Sequence, residues 1–407
     1  MADTGANIER TGCLIAGGGP AGVVLTLLLA RRGIRVTLLE AHKDFDRDFR
    51  GDTIHPSTLE MLDALGLMDR VMQIPHGKIS QMRMHTPGGT FTLADFTRLK
   101  IKYPYILTMP QVKLLNLLAD EIGKYPCARI LMGAMVQEVI EEEGRVCGLR
   151  YRMDGTTHEL RAPLTVAADG RFSKIRHLVG FEPIGTAPPM DVLWFRLPRL
   201  PDDPFDGAGG FIGGGHIAVL LDRDTEWQVG YVFPKGEYAK LKLEGFAEFQ
   251  KQVVARVPFF ADRIDTLKGW ADCAVLSVES SMLRRWYKPG LLLIGDAAHV
   301  MSPVGGVGIN YAIQDAIESA NVLAEPLKIG LVGIRDLDRI QRRRQMPTRL
   351  IQKLQGMIQR AVISRAMKEG QRFRLPLPVR IMTRIPGLRN IPLRIMAFGL
   401  NRPIVTE

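Results

Sequence analysis

Cysteine is scarce in this chain. Cys13, Cys127, Cys147 and Cys273 are the only four in 407 residues, and no two stand at metal-ligand spacing. That excludes a disulfide framework and a clustered thiolate metal site, and buried thiols in a reducing cytoplasm are expected instead. Long apolar runs are also missing. Val23 to Ala30 is too short to span a bilayer and is closed by Arg31 and Arg32. Met1 to Arg10 is polar and mixed in charge, so no signal peptide is expected. Acid is outnumbered: 43 Asp and Glu face 54 Lys and Arg, a net charge of +11. The arginines thicken toward the end, at Arg342, Arg343, Arg344, Arg349, Arg360, Arg365, Arg372, Arg374, Arg380 and Arg384. They are expected to form a solvated basic surface, with attraction for anionic ligands or acidic lipid left open. No recognised nucleic-acid-binding module accompanies these bases, so nucleic acid is not an expected partner. What remains, 46% hydrophobic and 24% charged, is ordinary globular composition with length for two or three domains.

Along the chain, Gly12 to Ala16 reads as a strand, Pro20 to Arg32 as a helix and Arg35 to Leu39 as a second strand, a β-α-β unit turned at Gly33. Helices are expected at Pro56 to Leu65 and Gln111 to Ile122. Three meander strands follow, Ala134 to Ile140, Arg145 to Met153 and His158 to Ala167. Strands at Asp191 to Leu197, Ile217 to Leu221 and Trp227 to Phe233, with a charged helix over Tyr238 to Val254, mark a second, mainly antiparallel unit. Asp272 to Ser280 and a strand at Leu291 to Ile294 are expected to return the chain to the first unit, completed by a helix over Gly308 to Leu327. Asp336 to Lys368 reads as basic helix, and a short amphipathic segment spans Ile391 to Leu400.

Gly17, Gly19 and Gly22 form Gly-x-Gly-x-x-Gly between the first strand and helix. The first permits a tight turn, the second lets backbone approach a pyrophosphate, and the third allows helix-on-sheet packing. Pro20 and Ala21 open a helix whose N-terminus offers free N–H groups to phosphate. Glu40, closing the second strand, can accept from both ribose hydroxyls and disfavours a 2'-phosphate. This describes a dinucleotide site without choosing between FAD and NAD.

Two later segments make that choice. Ala167 to Arg176 reads Ala-Ala-Asp-Gly-Arg-Phe-Ser-Lys-Ile-Arg, and Gly295 to Asn310 reads Gly-Asp-Ala-Ala-His-Val-Met-Ser-Pro-Val-Gly-Gly-Val-Gly-Ile-Asn. With the glycine fingerprint, they resemble the three signatures of the single-component, para-hydroxybenzoate hydroxylase-like flavin monooxygenases over about Thr11 to Ala324. The resemblance implies a glutathione-reductase-like Rossmann FAD-binding α/β domain with an inserted, mainly antiparallel β-sheet substrate domain. It divides the chain into FAD-binding segments 10–75, 100–182 and 275–335, substrate segments 76–99 and 183–274, and a basic helical region 336–407. It assigns Asp169 and Gly170 to FAD and the visiting nicotinamide, Gly295 and Asp296 to the ribityl chain, and Pro303 to the ring edge where oxygen reacts. Gly305, Gly306, Val307, Gly308, Ile309 and Asn310 are expected to cradle the pyrimidine end, although Val307 stands where many relatives carry glutamine. Arg50 and Gln111 are expected cofactor contacts. Catalytic duty falls on Pro303, Arg50 and His55, with His299 packed nearby.

The implied reaction is hydroxylation of an aromatic ring by NADPH or NADH and O2 through a C4a-hydroperoxyflavin. The nicotinamide cofactor binds transiently, since no second glycine fingerprint follows a strand. Phe195, Phe211, Tyr231 and Phe233 are the expected pocket walls, with Arg196 and Arg223 expected at the surface. No metal is expected, and either a monomer or a homodimer is compatible. The alternatives are a quinone-type or polyketide-like apolar ring taken at a membrane surface, through Arg380 to Glu407, and a non-catalytic FAD protein or redox sensor. A flavin halogenase is the rival within the fold, but Trp194, Trp227, Trp270 and Trp286 are isolated.

Overall fold

The computed structural model describes residues 8–46, 52–86, 88–205, 207–213, 215–360 and 390–406. A short apolar strand, Cys13–Ala16, is wholly buried because it lies centrally in a six-stranded sheet. Its neighbours, Thr165–Ala167 and Val36–Glu40, pair with it in parallel. Ala128–Met132 continues one side and Leu291–Leu293 the other, both parallel, before Tyr287–Lys288 ends the sheet antiparallel. Burial on both faces accounts for strands that read as unbroken apolar runs. The helices Pro20–Arg31, Gln111–Ile122 and Gly308–Lys328 cover this sheet.

The meander departs from expectation at one point. Thr156–Arg161 stays in a small sheet with Arg145–Met153, Met135–Glu142 and Ile8–Arg10, whereas Thr165–Ala167 leaves it for the main sheet. Pro163 lies in the break between them and has no N–H for either ladder.

A seven-stranded sheet runs in the order Ala274–Ser277, Met190–Pro198, Glu226–Pro234, His216–Asp222, Ala208–Gly213, Gln81–Thr86, Gly89–Asp95. Only Ala208–Gly213 and Gln81–Thr86 pair in parallel. Ala274–Ser277 was expected to rejoin the first unit, but it hydrogen-bonds along Met190–Pro198 instead. The expected charged helix is two, Tyr238–Glu244 and Phe246–Arg256, separated by Gly245 at φ 95°. Such a value favours glycine and stops the first helix.

The basic C-terminal helix runs over Ile334–Ile358 and is amphipathic, with Leu337, Ile340, Arg344 and Ile351 buried. The helix Asn390–Phe398 docks back on the molecule. Leu393 and Ala397 pack with Ile79, Ala94, Phe96 and Ala208 at the base of the large sheet. The tail is tied down by Asn321, whose Nδ2 donates to the Ile404 carbonyl at 2.7 Å. Arg365, Arg372, Arg374, Arg380 and Arg384 lie outside the described residues, and no described helix is long and apolar enough to cross a membrane.

Candidate functional site

The first turn is dictated by contacts that only glycine survives. Gly17 has φ 108°, and a Cβ there would collide with the Ala168 carbonyl of the adjacent strand end. A Cβ at Gly22 would strike the Gly17 carbonyl, so helix Pro20–Arg31 sits directly on the turn. Gly19 differs: nothing lies within 4 Å of a Cβ built on it. The space in front of the helix N-terminus is therefore open where a phosphate pair would approach. Glu40 is buried, with Oε2 accepting from the Gly18 N–H at 2.7 Å and Oε1 from the His42 N–H at 2.9 Å. The carboxylate is thus oriented by backbone before any ribose reaches it.

The other two motifs converge on this turn. Asp169 Oδ2 accepts from the Ile175 N–H at 3.1 Å, and Ser173 caps the short helix Lys174–Leu178 through the Arg176 N–H. Burial raises the Asp169 pKa, against the opposing bonds from Ser173 and Ile175. Its Oδ1 is buried without a hydrogen-bond partner among the described residues, and Gly170, at φ 83°, faces open space. A buried acceptor beside an open glycine suits a ligand hydroxyl or amide. The link to the third motif is Arg176. Its guanidinium donates to the Ala297 carbonyl at 3.1 Å and the Arg171 carbonyl at 2.7 Å, joining the two turns. Sequence reading quoted Arg176 as the last residue of its motif but gave it no role.

The glycine loop after Gly295 is held from beneath by helices. Gly295, at φ 59°, donates its N–H to Asp315 Oδ2 at 3.0 Å. Asp315 is fully buried and also takes His299 Nε2 at 2.5 Å and Arg344 Nε at 2.8 Å. Burial pushes its pKa up, but the charges and hydrogen bonds of His299 and Arg344 outweigh this and hold it below the ordinary carboxylate range. Arg344, expected on a solvated surface, is therefore a buried anchor with 1% of its surface exposed.

Pro303 precedes a single helical turn, Val304–Gly306, and Gly305 and Gly306 follow at φ 80° and 62°. Gln355 Nε2 donates to the carbonyls on either side of Pro303, Ser302 at 2.9 Å and Val304 at 2.7 Å. Gln359 reaches Ser302 Oγ at 2.5 Å, and Gln352 donates to the Val300 and Ser281 carbonyls at 2.9 Å. These glutamines form a ladder along the C-terminal helix that grips the loop by its backbone. A Cβ at Gly306 would come within 2.5 Å of Thr53 Oγ1.

Several expected contacts are occupied differently. Val307 points into a cluster with Met301, Tyr311 and Ile351. Ile309 is half-buried against the main core. Asn310 Oδ1 accepts from the His55 N–H at 3.0 Å and Thr58 Oγ1 at 2.7 Å, so its side chain staples the loop. Gly308 begins the long helix. His55 is fully buried. Its Nδ1 bonds the Met396 carbonyl at 2.7 Å, its other nitrogen faces Gly306, and burial lowers its pKa to about 4. That geometry supports the loop and gives no proton path to solvent. Arg50 lies outside the described residues. Gln111 opens its helix, and Asp52 bonds that residue's backbone N–H. Asp52 Oδ2 also lies 3.7 Å from Arg223 Nη1, both side chains nearly inaccessible. Arg223 is thus buried between the two sheets' connections and not at the surface, while Arg196 is exposed. Burial raises the Asp52 pKa to about 6, against Arg223 and Arg196.

The expected pocket walls lie on the other face of their strands. Phe195, Tyr231 and Phe233 are buried under the helices with Phe249 and Val253, and Phe211 packs at the edge of the same cluster. Tyr231 Oη bonds Gln252 Oε1 at 2.8 Å. Side chains alternate along a strand, so the residues one position away form the opposite face. There, Val192, Ile212, Ile217 and Val232 form a cluster that Val304 of the glycine loop touches, with Trp194, Val219 and Met84 alongside. One row crosses the sheet as Trp194, Gly230, Val219, Gly210 and Met84. A Cβ at Gly230 would lie 2.8 Å from the Trp194 ring, and one at Gly210 would collide with Met84. The two glycines let Trp194 and Met84 lie flat, making an apolar shelf opposite the loop. Among the described residues, no three His, Cys, Asp or Glu are grouped to hold a metal ion.

The turn, the Asp-Gly pair and the gripped loop together fit FAD, and comparison with known proteins agrees. The family described as FAD binding domain matches residues 10–352. A 6-methylpretetramide 4-monooxygenase of Streptomyces rimosus is 34% identical over 395 residues, 96% of this chain and 93% of its own. A para-nitrophenol 4-monooxygenase of Pseudomonas sp. (strain WBC-3) is 26% identical over 346 residues, covering 78% and 79%. The crystal structure of p-nitrophenol 4-monooxygenase from Pseudomonas putida DLL-E4 superposes with a TM-score of 0.74 at 21% identity, over 95% of this chain and 96% of that one. It shares the fold. The chain belongs to the FAD-binding family of single-component, para-hydroxybenzoate hydroxylase-like flavoprotein monooxygenases.

Proposed function

We propose that this enzyme hydroxylates a flat, multi-ring phenolic substrate of the polyketide kind. The observation that carries this reading is the apolar shelf of Trp194, Gly230, Val219, Gly210 and Met84. Its breadth and lack of charge suit stacked rings better than a small anionic phenol, and the 34% identical relative is named for such a substrate. Bound FAD would supply the redox chemistry, with hydride from NADH or NADPH, one oxygen atom of O2 going to the ring and the other to water. The chain's part is to bind, orient and exclude water.

The proposed roles rest on the motifs and the geometry around them. Gly17, Gly19 and Gly22, with Pro20 and Ala21, shape a glutathione-reductase-like pyrophosphate turn, and Glu40 receives the ribose. Gln111 contacts FAD, Asp169 and Gly170 serve FAD and the visiting nicotinamide, and Gly295 and Asp296 serve the ribityl chain. Pro303, Gly305, Gly306 and Gly308 border the ring, His55 supports that loop, and Arg50 is a proposed cofactor contact. Donors fixed in the loop stabilise negative charge on the reduced ring. Four unbridged cysteines accord with a cytoplasmic setting.

The direct test is a screen of phenolic polyketides and simple phenols for stimulated NADH and NADPH oxidation, with hydroxylated product and hydrogen peroxide measured separately. Coupled product from a simple phenol alone would overturn the substrate class, and peroxide alone would overturn hydroxylation. Trp194→Ala should raise KM about tenfold, the loss of one aromatic stacking surface. Phe195→Leu should lower stability and leave KM alone; a KM rise of equal size there would return the pocket to the helix-covered face. Arg176→Ala should weaken FAD binding about tenfold, the worth of one or two charge-assisted bonds. Flavin fluorescence titration reads it, and unchanged affinity would deny the link between motifs.

A further inference from the structure

The helix Gly308–Lys328 ends in a turn that presents apolar side chains to water. Gly330 has φ 70°, its N–H donates to the Leu327 carbonyl at 3.2 Å, and the Leu331 N–H donates to the Pro326 carbonyl at 2.8 Å. This pattern of two bonds ending on a left-handed glycine fixes the chain direction, and the residue in the place of Leu331 ordinarily folds back on the helix. Here it does not. Leu331 is 73% exposed, Ile329 67% and Ile334 50%. Three large aliphatic side chains on a rigid tip are a cost in water unless something covers them.

The charge around the tip points to the cover. Arg335, Arg339 and Arg342 follow on the exposed side of helix Ile334–Ile358, one turn apart. With Arg343 and Asp338 they line a groove of about 470 Å³. Arg342 pairs with Asp338 and Arg343 with Glu318, while Arg335 and Arg339 have no acidic partner among the described residues. An aliphatic tip continued by a row of exposed arginines along one helix face matches a surface with negative headgroups over an apolar interior. Nucleic acid would use the arginines and leave the three aliphatic side chains in water.

We propose that the turn Ile329 to Ile334, with Arg335, Arg339 and Arg342, docks this enzyme on the surface of an anionic lipid bilayer. The aliphatic tip enters the headgroup layer and the arginines meet lipid phosphates. This surface uses residues other than Arg380 to Glu407, and the contact is peripheral.

The test is flotation of the full-length, FAD-loaded protein with two kinds of vesicle. One is phosphatidylcholine alone, and the other has phosphatidylglycerol for about a third of its lipid. Binding should appear on the anionic vesicles only and fall as salt is raised. Arg335→Ser with Arg339→Ser should weaken it about 25-fold, from about fivefold per arginine near a charged surface. Ile329→Ser with Leu331→Ser leaves the charge intact and should weaken binding at least about tenfold. Flavin content and the melting temperature of each variant certify the fold. If the serine pair at the tip binds like the parent, or no variant floats differently from it, the proposal fails. It also fails if heparin, a soluble polyanion, is bound as tightly as the vesicles. Association of the free protein through the tip, seen as a larger species that the serine pair abolishes, would give the surface to a second copy and overturn the lipid.

Discussion

Replacing Arg344 by methionine should cost about 3–5 kcal/mol of folding free energy, the usual penalty for removing one member of a buried ion pair. Much of a domain's net stability is at stake, since that is only about 5–15 kcal/mol. The reason is Asp315. It has no contact with solvent, and it divides its two oxygens between Arg344 on one side and His299 with the Gly295 N–H on the other. Without the guanidinium, the carboxylate either stays charged with weakened compensation or takes up a proton and loosens its hold on Gly295. Denaturant unfolding should show the loss, and flavin titration should show weaker FAD binding. The double variant Arg344→Met with Asp315→Asn should recover part of the stability, because both charges leave together. A single-variant loss below about 1 kcal/mol would mean the pair is worth no more than a surface bridge. The pH dependence has a fixed sign. The Asp315 carboxyl lies below its ordinary value of 3.8 in the folded state. Its contribution is therefore present above that value and lost as pH falls through the lower, folded one. The double variant should lack that acid-side decline.

Gly17→Ala should leave a protein that no longer retains FAD, with affinity down at least about 100-fold because strain and collision act together. The residue has φ 108°, and its missing Cβ is the space the Ala168 carbonyl occupies where two parallel strands end side by side. An added methyl must push that strand end away, and Asp169 and Gly170 move with it. Gly19→Ala is the informative contrast. Its Cβ would meet no protein atom within 4 Å. The apoprotein should melt as the parent does, yet bind FAD more weakly, because the methyl would enter the open space proposed for the pyrophosphate. Equal apoprotein stability in both variants would remove the distinction between a glycine required by the fold and one required by the ligand.

That contrast also marks what could be read before the coordinates. The β-α-β unit, Glu40 at the strand end and the two later motifs were legible because each depends on local spacing: a glycine at a turn, an acid after a strand, a proline before a helical start. Helix Gln111–Ile122 was placed correctly because Leu114, Leu115, Leu117 and Leu118 mark its buried face. The misreadings share another origin. Phe195, Tyr231 and Phe233, expected as pocket walls, lie under the helices, since an alternating strand with apolar residues on both faces does not say which face meets helices. Trp194 and Gly230 acquire meaning only when Gly230 is seen to lie under the indole in the neighbouring strand. Arg344 was grouped with its exposed neighbours Arg342 and Arg343, because three adjacent arginines look alike until the helix fixes which one turns inward. Asp52 and Arg223, 171 positions apart, carry no local mark of their contact.

The glutamine ladder has a consequence for when the protein becomes a flavoprotein. Gln355 stands 53 residues after Ser302, whose carbonyl it holds, and Gln359 stands 57 after the Ser302 hydroxyl it reaches. During synthesis the loop around Pro303 leaves the ribosome well before the helix that clamps it. A nascent chain that has released all three dinucleotide motifs therefore still lacks the helix that clamps this loop. Firm flavin capture is then expected only after the clamping helix has emerged, and a ribosome stalled between the loop and its clamp should carry a chain whose loop is not yet held.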